Sequence, residues 1–161
     1  MFIVSGPKLV LAQCVNGIIG SFPALNARPQ PQFDEWLTKL NADLAAYKQE
    51  HPERKVAPYA VNQIVHKSNE RLEDDFSVIE KHQVPFIITS LRAPTEFDPR
   101  IHGWGGKLFH DVTNLHHAEK ALEAGVDGLI LVCAPYACLV IGRWLWMPSM
   151  KGTIPKLRTH R

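Results

Sequence analysis

No two cysteines in this chain stand at metal or redox spacing. Cys14, Cys133 and Cys138 contain no CxxC pair, and their odd number and wide separation match neither a zinc site nor a secreted disulfide framework. Buried or unpaired thiols in a reducing cytosol are the expectation, and the chain is assigned to the cytoplasm. Long apolar runs are also missing. None approaches the roughly 20 residues that cross a bilayer, and the short Phe2, Ile3, Val4 run after Met1 has no basic stretch before it, as a secretory signal would. Neither sign of charge dominates: 18 Lys and Arg against 16 Asp and Glu leave +2, and the positive residues are scattered along most of the length. That argues against nucleic acid or an anionic membrane as a main partner. Glycine-rich phosphate motifs are absent as well. Gly103, Gly105 and Gly106 form no GxGxxG, and no GxxxxGK[ST] occurs, so a Rossmann turn and a P-loop are both unsupported. What remains is ordinary globular composition, 45% hydrophobic and 21% charged, which implies one soluble domain with a real core.

The informative pattern is an alternation of short β-branched runs with amphipathic stretches, the signature of βαβ units and a parallel sheet. The runs are 17–22 (GIIGSF), 58–64 (PYAVNQI), 85–90 (PFIITS), 107–112 (KLFHDV) and 128–133 (GLILVC). They are mostly continuous rather than alternating, as expected of strands covered on both faces. After the first, Phe33, Trp36, Leu37, Leu40, Leu44 and Tyr47 recur at helical spacing and make one face of a long helix apolar. Leu72, Phe76 and Ile79 mark a second helix, with Ser68 or Asn69 placed to cap it. Thr113 or Asn114 caps a third, whose Leu115, Ala118, Ala121 and Leu122 are expected to face inward and whose end has Gly125 as the left-handed residue. Between 92 and 104, Pro94, Pro99 and Gly103 allow a short, irregular helix at most. A helix near 7–15, with Ser5 as N-cap, has no strand before it, which predicts that the chain begins late in its fold. Residues 135–161 carry Arg143, Lys151, Lys156, Arg158 and Arg161 without one Asp or Glu. They read either as a basic, partly disordered extension or as an amphipathic segment that binds a membrane surface or a partner.

In a parallel α/β architecture the reacting groups sit at the C-terminal ends of strands, which singles out Asn62, Gln63, Thr89, Ser90, His110, Asp111 and Cys133. Each alone could be a strand end reaching water; as a set on one rim they favour a polar pocket for a small molecule. His110 and Asp111 are adjacent on a strand and face opposite sides, so they form no acid/base dyad. His116 and His117 are neighbours on a helix, a poor geometry for sharing a metal, and no metal site is expected.

Taken in order, FIVSGPKLVLAQCVNGIIGSFPALNARP, AVNQIVHKSN, VPFIITSL and FHDVTNLHHAEKALEAGVDGLI resemble bacterial nitronate monooxygenases, formerly called 2-nitropropane dioxygenases. The likeness runs from Met1 to about Ala134. It implies an FMN-dependent (β/α)8 TIM barrel that oxidises alkyl nitronates with molecular oxygen to carbonyl compounds and nitrite, with the five runs as strands two to six of an incomplete barrel. On that resemblance Met1 matches the end of the family's Pro-Met turn beside the flavin. Asn62 matches the asparagine that contacts FMN, Gln63 is a weaker candidate beside it, and Ser90 and Asp111 are rim residues of the pocket.

The family continues after its sixth strand with an Ala-Gly-Gly-His type segment, whereas Cys133 and Ala134 are followed here by Pro135, Tyr136, Ala137 and Cys138. The family histidine is absent, so no catalytic residue is assigned. A disrupted reading frame would explain the change of character at that point. About 250 residues close such a barrel, and five strands leave exposed edges, which predicts self-association through them. The expected organisation is therefore a partial barrel over 1–134 and an atypical basic tail over 135–161. A second reading is a non-catalytic truncated fragment or interaction protein, and a third a related flavin barrel such as an enoyl reductase.

Overall fold

The computed structural model describes residues 3–133 and 137–142. Met1 and most of the basic tail, with their expected roles, lie outside the described residues. The order of elements is α1 (Pro7–Val15), β1 (Ser21–Pro23), a short 3-10 turn (Ala24–Asn26), α2 (Pro31–Glu50), β2 (Ala60–Val65), α3 (Leu72–Lys81), β3 (Phe86–Leu91), α4 (Asp98–Gly103), β4 (Lys107–Val112), α5 (Leu115–Glu123), β5 (Gly128–Cys133) and β6 (Ala137–Gly142). The strands form one sheet in sequential order. The first five run parallel. Consecutive parallel neighbours joined by helices are the repeating unit of a (β/α) barrel, and the sheet here is an open portion of one.

Register separates the strand residues into two faces. Phe22, Val61, Val65, Ile87, Leu108 and Val112 are buried under the helices. On α2 the apolar stripe is Phe33, Leu37, Leu40 and Leu44, all buried, and the Phe33 and Trp36 rings meet Phe22 edge-on at 6.3 and 5.6 Å. On α3, Phe76 and Ile79 are fully buried, with Phe76 tilted against Phe97 at 4.3 Å. Each such aromatic or aliphatic side chain removed from water contributes about 1.5–3 kcal/mol before entropy is charged against it. The other face, toward the interior of a barrel, carries Ala60, Asn62 and Ile64, then Phe86, Ile88 and Ser90, then Lys107, Phe109 and Asp111, then Gly128, Ile130 and Val132. Most of these are only half-buried. Phe109 lies where a Cβ on Gly128 would meet its ring at 2.4 Å, so the glycine makes room for a large neighbour in the same layer.

Several expectations are corrected. Only Ser21–Pro23 of the run 17–22 is strand. Gly17 turns the chain off α1 at φ 79°, and a Cβ on Gly20 would lie 2.8 Å from the Val10 carbonyl oxygen, so these residues cross over α1 before entering the sheet. Ser5 does not cap α1, whose N-cap is Gly6; its hydroxyl donates to the Ser21 carbonyl instead. Neither Ser68 nor Asn69 caps α3, which begins after Arg71; Asn69 binds the Ile64 carbonyl and the Arg71 N–H. Asn114 does cap α5, accepting from the His117 N–H at 2.9 Å, and Gly125 is left-handed at φ 93°. Leu115 and Leu122 are exposed, not inward, because α5 meets the core through Ala118 and Ala121. Finally, residues 137–142, expected to belong to the tail, form a strand. Their run ACLVIG pairs antiparallel with β5 from Gly128↔Gly142 to Cys133↔Ala137. No described helix is long and apolar enough to cross a membrane.

Candidate functional site

Parallel register places Asn62, Ser90 and Asp111 on the same face of three adjacent strands, Ser90 and Asp111 near the C-terminal ends of β3 and β4 and Asn62, level with Ile88, in the middle of β2. They join in a hydrogen-bonded chain. Asn62 Nδ2 donates to Ser90 Oγ at 2.8 Å and to the Ile88 carbonyl at 3.1 Å, and Ser90 Oγ donates to Asp111 Oδ2 at 2.6 Å. Asn62 is nearly buried and the other two half-buried. Burial pushes the Asp111 carboxyl above the usual carboxylate range, and the Ser90 hydroxyl offsets part of that. Three of the residues singled out from the sequence are thus brought together. Leu91, next in the chain after Ser90, holds φ 82° with its side chain exposed, an unfavourable backbone for leucine that marks the rim at this point.

Gln63, Thr89 and His110 lie on the opposite, helix-covered face, because each is one residue out of step with the chain just described. Gln63 is therefore a correction: it is buried with neither amide atom partnered among the described residues, and it does not share a pocket with Asn62. His110 is buried against the Thr89 hydroxyl at 2.8 Å. Burial and the nearby His117 hold its pKa below the ordinary histidine value, which suits a neutral core imidazole and not a base at the rim. Of the adjacent pair His110 and Asp111, it is Asp111 that faces the interior.

Sequence reasoning missed a link between the loops at the C-terminal rim. Arg71 donates to the Ala27 carbonyl at 2.9 Å, after β1, and to fully buried Asp75 at 2.9 Å on α3. Burial raises the Asp75 pKa and the Arg71 guanidinium opposes the rise. The spacing of Arg71 and Asp75 at i, i+4 was the available signal. A separate cleft of about 230 Å³ lies at the other edge, lined by Val4, Ser5, Leu9, Gln13, Ile19 and Ser21. It is lined by no titratable side chain.

No protein-family model matches the chain, and no curated protein does. Solved structures do. FabK from Thermotoga maritima superposes with a TM-score of 0.66 at 20% identity, covering 81% of this chain and 38% of that one. Its M276A mutant gives 0.64 at 19% identity, over 81% and 40%. Nitroalkane oxidase from Streptomyces ansochromogenes gives 0.62 at 16% identity, over 81% and 43%. The shared fold is a (β/α) barrel. The chain spans about two fifths of the length of these barrels, and at such identities the likeness concerns architecture.

Proposed function

We propose that this chain is the flavin-facing portion of an FMN-dependent oxidoreductase barrel, of the kind that oxidises alkyl nitronates with molecular oxygen. The observation that carries the reading is the chain Asn62–Ser90–Asp111, which runs on the interior face from the middle of β2 to the C-terminal ends of β3 and β4, the end at which barrels of this type build their sites. Asn62, matched by sequence to the FMN-contacting asparagine of the nitronate monooxygenases, lies at its inner end. The residues suit a flavin: its ring imide and ribityl hydroxyls are hydrogen-bond donors, and oxygen acceptors face them. Asn62, Ser90 and Asp111 would hold it, and when bound it would supply the two-electron chemistry between substrate and oxygen. The solved nitroalkane oxidase and FabK barrels support a flavin oxidoreductase in general, and the order of sequence words supports the nitronate branch of it.

The half-buried interior face favours a second reading, a non-catalytic piece that binds a partner through that face. The visible spectrum of the purified chain after addition of FMN and removal of the excess separates the two. Retained absorbance near 450 nm, followed by nitronate-dependent oxygen uptake, supports the oxidoreductase; no retained flavin discards it. NADH oxidation by the same preparation would move the assignment to the enoyl reductase branch.

A further inference from the structure

The hydrogens along Asn62, Ser90 and Asp111 can be placed one by one. The Ile88 carbonyl only accepts, so the Asn62 atom 3.1 Å from it is Nδ2, and the orientation of the amide follows from chemistry. The same nitrogen donates to Ser90 Oγ at 2.8 Å. An amide nitrogen has two hydrogens, and both are committed. Ser90 Oγ, having accepted from Asn62, turns its own hydrogen toward Asp111 Oδ2 at 2.6 Å. The groups left over are Asn62 Oδ1 and Asp111 Oδ1, neither with a partner among the described residues. Both are oxygens. The neighbouring interior side chains, Ile64, Ile88, Phe109 and Ile130, bring no donor, and the one cation among the described strand residues of this face, Lys107, is at the far end of β4 and paired with Asp127 at 3.1 Å.

We infer that this row accepts the N–H or O–H donors of an uncharged ligand and rejects anions. An anion placed there would meet lone pairs and the carboxylate of Asp111 without a hydrogen to bind, and such uncompensated desolvation is costly. Resting on the function proposed above for the identity of the ligand, though not for its chemistry, the row then takes the cofactor, through its ribityl hydroxyls or its ring imide. A nitronate anion must bind elsewhere.

The test is an NMR titration of the whole 15N-labelled chain with three probes: ribitol for the hydroxyls, uracil for the imide, and nitrate as a planar anion of nitronate shape. The Asn62 side-chain amide and the backbone signals of Ser90 and Asp111 are expected to move with ribitol or uracil, the responding probe naming the source, and to ignore nitrate. Movement with nitrate, or with neither donor, overturns the inference. Replacing Asp111 by asparagine (Asp111→Asn) presents an amide in place of the carboxylate; it is expected to weaken the responding donor probe about tenfold, equivalent to about 1.4 kcal/mol, and to admit nitrate. Unchanged selectivity in that variant would count equally against it. If the donor probes bind while FMN does not, the inference stands and the proposed function falls; if FMN binds without these signals moving, the reverse holds.

Discussion

Asp127, just before β5, illustrates how a single carboxylate is tuned by its neighbours. It accepts from the Leu108 N–H at 2.9 Å, from His102 at 2.8 Å and from Lys107 at 3.1 Å. Burial pushes its pKa up, yet these donors together hold it below the usual carboxylate range. A lowered folded pKa means that the unfolded chain binds the proton more readily. The stability Asp127 contributes is therefore present above the unfolded value of about 3.9 and is lost as pH falls through the folded one. Asp127→Asn is expected to cost about 1–2 kcal/mol at pH 7 and to flatten the acid side of the stability profile, read from urea midpoints at several pH values. A variant with the wild-type profile would show the cluster to be idle. Asp111 carries the opposite sign. Burial raises its pKa, so its contribution is present below the unfolded value and lost as pH rises through the folded one. Asp111→Asn should match the wild type in acid and exceed it at neutral pH in the same measurement, and a loss at neutral pH would mean that the carboxylate is favoured in place.

At the level of elements, the strands and helices were legible because burial on two faces demands continuous apolar runs, and α2 and α3 show a helical stripe. The starts of helices were less so. Ser5, Ser68, Asn69 and Asn114 are equally good caps by residue type, but Asn114 is the one whose side chain accepts from its own helix; Ser5 is drawn into a tertiary bond with Ser21, and Asn69 into loop bonds with Ile64 and Arg71 just before α3. Removing the one cap that forms, by Asn114→Ala, is expected to cost about 1 kcal/mol, measured as a lowered denaturation midpoint with unchanged slope. No change would mean that water or Thr113 replaces it. Period-two reasoning likewise separated His110 from Asp111 correctly, and the same rule applied to Asn62 and Gln63 would have separated those two as well. The resemblance to a flavin site placed them together, and strand geometry does not allow it. The strand β6 was hidden by the basic residues that follow it; the run Leu139, Val140, Ile141 was its signal.

On the scale of the whole molecule, the sheet presents two unlike boundaries. β1 is three residues long and its Ser21 carbonyl is taken by Ser5, while β5 is covered along its full length by antiparallel β6, an arrangement that removes its free edge from parallel pairing. Self-association through bare edges, expected from the sequence, would involve β1 at one side of the sheet and β6 at the other. The interior face is a different matter. Phe86, Ile88, Phe109 and Ile130 are half-buried and Val132 is 39% exposed, so apolar surface that a closed barrel would enclose remains accessible. Burying it against a second copy recovers roughly 25 cal/mol for every square ångström removed from water, and among the described strand residues of this face the polar ones are Ser21, Asn62, Ser90, Lys107 and Asp111. The chain is therefore expected to associate face to face with rising concentration, seen as an increase in weight-average mass by sedimentation equilibrium. Val132→Lys, which places a charge on that face without touching the helix-covered core, should return it toward the monomer. A wild-type chain that stays monomeric at every concentration, or a variant that associates as readily, would mean that this face is covered by some other means and that the edges, not the interior, govern assembly.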